Sequence, residues 1–143
     1  MTEYVKISDK VKLLNYLQDF EICFPHLKEK VDLREYAAKL AQNAENYILL
    51  LEEKPIGITC FYANNAINSC GYITLIGIMP NTQKGGFGKA LINFTFSKML
   101  EKGMKFAKLE VDKDNINAQG FYAHLGFEPE RECENSIYLV KKI

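Results

Sequence analysis

The chain has no tryptophan, only two histidines, four prolines and four cysteines, and no excess of either charge. Each shortage narrows the function. The cysteines (Cys23, Cys60, Cys70 and Cys133) stand 37, 10 and 63 residues apart, so none makes the short-spaced pair that clips a zinc ion or forms a redox couple. No metal site is expected. Secreted disulfide scaffolds are denser in cysteine, so reduced, mostly buried thiols are the expectation. Lys+Arg and Asp+Glu number 18 each, so the general basic surface needed for nucleic-acid or anionic-membrane binding is missing. The apolar stretches near 47–51 and 72–80 are too short to cross a bilayer, and MTEYVKISDK has no apolar signal segment. A soluble cytoplasmic location follows as an expectation.

What is present reads as ordinary globular sequence. The 143 residues, 48% apolar, suffice for one domain with its own core, and no repeat or Pro/Gly/Ser-rich linker divides 1–143. Residues 1–7 suggest a short strand. Ser8 or Asp9 can cap a helix carrying Leu13, Leu14, Leu17 and Phe20 on one side. Phe24-Pro25-His26 breaks the helical pattern over 19–30, and Asp32 with Glu35 makes a capping box for a second helix. Runs 46–53 and 56–63 are β-rich, with Glu53-Lys54-Pro55 as a hairpin turn between them. Residues 71–79 form a third strand that Pro80 ends. A helix with Leu91, Ile92, Phe94, Phe96, Met99 and Leu100 follows, closed by Gly103. Residues 106–112 are a strand, 115–125 a helix, and 127–130 and 136–143 the last strands. A strand, crossover helix and strand over 71–112 require one parallel pair. The expected fold is therefore α/β in the broad sense: a mixed, mostly antiparallel sheet with helices on both faces.

The glycine-rich stretch Gln83-Lys84-Gly85-Gly86-Phe87-Gly88-Lys89 lies directly between a strand and a helix. Backbone N–H groups at such a helix start, unobstructed by side chains, suit an anion. It is not a Walker A loop, which needs Gly at 83 and Ser or Thr at 90 where the chain has Gln83 and Ala90. It is not a dinucleotide fingerprint either, because Leu91 stands where that pattern needs Gly or Ala.

The run from Ile78-Met79-Pro80 through Gln83-Lys84-Gly85-Gly86-Phe87-Gly88 resembles the acetyl-CoA-binding signature of the GNAT family (Gcn5-related N-acetyltransferases), a strand ending in x-V-x-P and then Q/R-x-x-G-x-G/A. Leu109-Glu110-Val111, Asn115, Ala118, Phe121-Tyr122 and Leu125-Gly126-Phe127 resemble its second block, with Asn115 seven residues before Tyr122 and Tyr122 four before Gly126. The two blocks cover 78–127; the first 70 residues agree only in their order of elements.

The resemblance implies a GNAT-like fold with a splayed parallel pair. It also implies acetyl-CoA as co-substrate, its pyrophosphate on backbone amides of Lys84–Lys89, with Gln83 beside them. Backbone groups of Ile76 and Ile78 would meet the pantetheine arm at a bulge expected at Gly77. The Ile78 N–H would polarise the thioester carbonyl. Tyr122 matches the tyrosine that protonates the coenzyme A thiolate, and Asn115 would bond the coenzyme while capping its helix.

Glu110 is the candidate base. On 106–112 the odd positions Ala107, Leu109 and Val111 are apolar, while Lys108, Glu110 and Asp112 share the other face. A mid-strand carboxylate there needs a polar cleft or a salt-bridge partner, and both readings stand. His26 and His124 match no catalytic position of the family.

Within the zero net charge, 84–108 carries six lysines against Glu101, and 109–135 carries seven acids against Lys113 and Arg131. The first excess suits coenzyme phosphates, with a solvated helix face as the rival reading for Lys98 and Lys102. The resemblance implies that the acceptor enters between residues 19–30 and the last hairpin. There Glu128, Glu130, Glu132 and Glu134, with Asp19 and Glu21, would make an acidic mouth for a cationic amine, with solvated loop acids as the rival reading. The functional expectation is direct acetyl transfer from acetyl-CoA to a primary amine of a small molecule or peptide. The alternative is a non-catalytic acyl-CoA-binding or regulatory module. A monomer or a homodimer fits either.

Overall fold

A computed structural model describes all residues 1–143. Seven strands make one sheet in the order β1-β2-β3-β4-β5-β7-β6. They are β1 (Thr2–Lys6), β2 (Glu45–Leu51), β3 (Lys54–Tyr62), β4 (Cys70–Ile78), β5 (Phe106–Asp112), β6 (Glu128–Glu132) and β7 (Ser136–Lys142). Only β4 and β5 run parallel; every other pair is antiparallel. The helices are α1 (Lys10–Asp19), the single turn α2 (Leu27–Lys30), α3 (Leu33–Asn43), α4 (Phe87–Glu101) and α5 (Ile116–His124). The mixed sheet is that expected from the sequence, and so is the order of elements except for the single turn α2, which lies in the stretch expected to be broken by Pro25.

Local chemistry explains the boundaries. Asp9 caps α1 by accepting the Lys12 N–H at 2.9 Å, and Asp32 caps α3 by accepting the Glu35 N–H at 3.1 Å. Glu35 thus joins the cap through its backbone; its carboxylate does not return the bond of a full capping box. The β2–β3 turn sits at Glu52–Glu53, both left-handed with φ of 48° and 69°, not at Glu53-Lys54-Pro55. Paired positive φ values make the tight turn whose twist matches a hairpin. Lys54 and Pro55 therefore belong to β3, with Pro55 next to a register shift where its missing N–H is tolerated.

Two apolar layers hold the sheet. On one face Leu13 and Leu17 of α1, Phe20 just after it, and Ala37 and Leu40 of α3 pack on Ile48, Ile58, Cys60 and Leu75. On the other, Ile92, Phe96 and Met99 of α4 pack on Phe61, Ile73, Leu109 and Leu139. A hydrogen-bonded Thr59–Thr95 hydroxyl pair, 2.9 Å apart, satisfies two polar groups buried under α4.

One irregularity shapes the site. β3 pairs Cys60 with Leu75 and then Phe61 with Ile73, so Thr74 is an extra residue in β4. The bulge is at Thr74 and not at Gly77, because pairing register, not glycine content, decides where the ladder slips. Ile73 and Leu75 should share a face at period two, yet they join opposite cores. The parallel ladder to β5 ends at the same place, with Ile73 opposite Leu109.

No cysteine is in a disulfide, and their exposures differ: Cys133 is exposed, Cys23 and Cys70 are intermediate, and Cys60 is fully buried. Burial also pushes the Cys60 thiol well above its ordinary pKa. In a native-state thiol titration Cys133 reacts first and Cys60 only on unfolding; four equal rates in the folded protein would contradict this packing.

Candidate functional site

Beyond Ile73 and Leu109 the strands β4 and β5 part, and a cleft of 550 Å³ opens between them. Its walls include Cys23 and Phe24 from the 3₁₀ turn before α2, Ile76 from β4, Glu110 from β5, and Asn115 and Tyr122 at α5. The backbone explains how the wall is made. The Met79 N–H donates to the Ile56 carbonyl at 2.8 Å, and Gly57 faces Ile78. Hydrogen-bonded and non-bonded pairs alternate along an antiparallel ladder, so Ile76 and Ile78 turn their N–H and C=O groups away from β3. With β5 splayed off, no strand receives them. The Ile78 carbonyl instead accepts the Gln83 amide at 3.3 Å and the Cys23 thiol at 3.5 Å.

Gly77 has a different task from the one expected. A Cβ there would lie 3.0 Å from Cys23 Cβ and 3.0 Å from Phe24 Cζ. Glycine lets the 3₁₀ turn press directly onto β4 and roof the cleft.

The glycine-rich stretch divides in two. Pro80–Gly85 is a 3₁₀ turn, Gly86 is left-handed at φ 76°, and α4 starts at Phe87. The first N–H groups of α4 have no partner within the helix, and its first turn carries no acid. Gly85 and Gly86 are exposed, and a Cβ on Gly85 would meet the Phe87 ring at 2.4 Å. A Cβ on Gly88 would lie 3.7 Å from the Phe121 ring, so the start of α4 faces α5. Gln83 ties the turn to β4 through the Ile78 carbonyl. Lys84 and Lys89 are exposed and form no ion pair, whereas Lys98 bonds Glu101 at 3.5 Å and lies over the Tyr47 and Phe94 rings. Lys102 approaches Glu45 at 3.9 Å, so Lys98 and Lys102 serve the flank of α4.

Glu110 stands on the face of β5 opposite Ala107, Leu109 and Val111, all three buried. Its Oε2 accepts the Ser136 hydroxyl at 2.5 Å, and no cation pairs with it. The salt-bridge reading of Glu110 therefore falls away. Tyr72 lies close by; its hydroxyl is pushed up to about 12 by burial first and then by the Glu110 charge. Tyr122 leans edge-on to Phe121 and Phe127 at centroid distances of 5.4 and 5.5 Å. Its hydroxyl makes no hydrogen bond within the protein, and burial pushes it up to about 12. Asn115 accepts the Ala118 N–H at 3.1 Å, capping α5 as expected.

The cleft thus collects Ile76, Glu110, Asn115 and Tyr122, whereas Ile78 and residues 83–89 are not among its walls. The acidic mouth is less acidic than its composition. Glu21 pairs with Lys28, Glu130 with Lys108 at 3.0 Å, and Glu132 with Lys113 at 3.7 Å. His26 lines the cleft and bonds Glu29 at 3.1 Å; His124 is exposed. Sequence reasoning missed Cys23, Phe24, Tyr72, Thr74 and Ser136. Only Phe24-Pro25, a break between helices, hinted at the first two. No three His, Cys, Asp or Glu residues are grouped to hold a metal ion, and no helix is long and apolar enough to cross a membrane.

A model of the acetyltransferase (GNAT) family matches residues 13–127. The chain belongs to the GNAT family. A mycothiol acetyltransferase from Streptomyces coelicolor is 42% identical over 57 residues, 40% of this chain but only 18% of that protein. The chain thus spans about a fifth of the mycothiol acetyltransferases it matches. The crystal structure of the ribosomal-protein-S18-alanine N-acetyltransferase from Escherichia coli superposes with a TM-score of 0.80 at 16% identity, covering 100% of this chain and 94% of that one. The PaiA N-acetyltransferase from Thermoplasma acidophilum, solved in complex with coenzyme A, gives 0.77 at 17% identity, over 100% and 99% of the chains. At these identities the structures establish the fold.

At Gly86 a Cβ would meet nothing within 4 Å, so only backbone strain opposes a side chain. Gly86→Ala should cost about 1 kcal/mol of stability and about 3 °C in thermal midpoint, as a melting curve will show. An unchanged midpoint would mean that the left-handed turn carries no strain.

Proposed function

We propose that this chain transfers an acetyl group from acetyl-CoA directly to a primary amine. The carrying observation is the single cleft that sets the Glu110 carboxylate and the Tyr122 hydroxyl beside the unpaired edge of β4. Family membership and the coenzyme A bound in a structural relative support acetyl-CoA as the donor. The residues present fit it. The free N–H groups opening α4, flanked by Lys84 and Lys89, suit the pyrophosphate. Ile76 and Ile78 offer an unpaired strand edge for the amide-bearing arm, and Asn115 lies where the cleft meets α5.

Acetyl-CoA bound here would supply an activated acetyl carbon. The protein's own groups then handle protons. An alkylammonium has a reference pKa near 10, so it must lose a proton before its nitrogen can attack. Glu110, held by Ser136 with Oε1 free, takes that proton directly or through one water. As the nitrogen bonds to the acetyl carbon and the carbon–sulfur bond breaks, the Tyr122 hydroxyl gives its proton to the departing sulfur, and the second proton shed by the new amide nitrogen returns through water to the Tyr122 oxygen. Burial keeps that hydroxyl protonated throughout the physiological range. The same apolar wall raises the basicity of a thiolate beside it, so donor and acceptor stay matched. The one sheet shared by both cores supports treating 1–143 as a single catalytic domain.

A thiol-release assay with acetyl-CoA across diverse primary amines tests the reading. Tyr122→Phe should lower kcat by about a hundredfold while the coenzyme dissociation constant stays within a factor of about two. Retained turnover would remove Tyr122 from the chemistry; a wild type that binds acetyl-CoA and acetylates nothing would favour a binding module. Because the Tyr122 pKa is raised, its protonated form persists above the ordinary tyrosine range. The kcat profile should therefore show no loss attributable to Tyr122 between about pH 8 and about pH 10. A descending limb that vanishes in Tyr122→Phe would place that hydroxyl in water instead.

A further inference from the structure

We infer that the acceptor is dipolar, a primary amine carrying an anionic group about 10 Å from its nitrogen, bound between Glu110 and Arg131. The inference rests on the proposed acetyl transfer for the role of Glu110 and adds what lies at the acceptor's other end.

Three adjacent strands make the receptor. Glu110 of β5 pairs with Tyr138 of β7, and Tyr138 pairs with Arg131 of β6. Directly opposed residues share a face, so the three side chains form one row across the sheet. The Arg131 guanidinium confirms it by stacking over the Tyr138 ring, 4.3 Å from the centroid. Two strand spacings separate the carboxylate position from the guanidinium position, about 10 Å of backbone.

Beside the row two ion pairs form, Lys108 with Glu130 at 3.0 Å and Lys113 with Glu132 at 3.7 Å, while Asp112 and Glu128 stay without a cation. Glu110 and Arg131 take part in no ion pair. Glu110 has only the Ser136 hydroxyl, and Arg131 only the aromatic face. The intervening tyrosine holds them too far apart to satisfy each other. A ligand with an ammonium at Glu110 and a carboxylate, sulfate or phosphate at Arg131 would complete both. The bulge at Glu130 aids this by turning its carboxylate to Lys108 rather than to Arg131. A polyamine would bring a second cation against the guanidinium and be disfavoured. The fitting class is an ω-amino acid, or a short peptide with a free amino terminus and an acidic group near its third residue.

The test uses 8-aminooctanoate, its primary amide and 1,8-diaminooctane as acceptors with acetyl-CoA. Arg131 is exposed, so the amino acid should exceed the amide by about fivefold in kcat/KM. In Arg131→Gln the ratio should fall to about one, and in Arg131→Glu the diamine should overtake the amino acid. Melting curves of both variants establish that the fold is retained. Equal rates for all three acceptors, unmoved by Arg131→Glu but lost in Glu110→Gln, would overturn the dipolar acceptor and leave acetyl transfer standing. Coenzyme binding with no thiol release on any amine would overturn both.

Discussion

The structure turns on the place where the parallel ladder between β4 and β5 stops. Ile73 and Leu109 are its last pair, and Thr74 is the residue too many that forces the break. Past it, β4 continues against β3 alone, with one side of its backbone offered to nothing. A buried strand edge without partners is costly, so such an edge persists only where another group can complete it. The Tyr36 hydroxyl, 2.9 Å from Thr74 Oγ1, pins the bulge from α3. Ile73 below and Leu75 above anchor the strand in opposite cores, so it cannot slide back into regular register. The cleft, its roof of Cys23 and Phe24, and the approach of α5 all follow from this one slip.

Electrostatics are arranged on the same plan. The basic excess of the α4 region resolves into Lys98 and Lys102 spent along the helix flank, Lys108 paired with Glu130, and Lys84, Lys89 and Lys105 without an ion pair, the first two beside the glycine turn. The acidic excess beyond β5 resolves likewise. Glu130 and Glu132 are paired, while Glu110, like Asp112, Asp114, Glu128 and Glu134, has no cation, and one of its oxygens is engaged by Ser136. Free charges at a cleft mark where a ligand's charges belong.

Much was legible beforehand for simple physical reasons. The caps at Asp9, Asp32 and Asn115 are local hydrogen bonds over three residues, and local bonds can be seen in sequence. The alternation along 106–112 placed Glu110 on the open face, because strand period two needs no knowledge of neighbours. The glycine turn and the Asn115–Tyr122 spacing carried the family resemblance. What escaped was non-local. The bulge depends on how β3 registers against β4, so it fell at Thr74, where no glycine advertised it. Ser136 reaches Glu110 from 26 residues away, and nothing about a lone serine signals that bond. The paired acids of the last hairpin looked free in sequence because Lys108 and Lys113 lie on other segments.

The sequence by itself thus determined which segments become strands and helices, which face of β5 is polar, and the family to which the chain belongs. These rest on periodicity, capping and short spacings, all carried by adjacent residues. Only the tertiary structure decided where β4 leaves β5, how closely Cys23 and Phe24 approach Gly77, and which carboxylates find a cation. Those outcomes depend on contacts between distant segments, where register and close approach set the energy and composition does not.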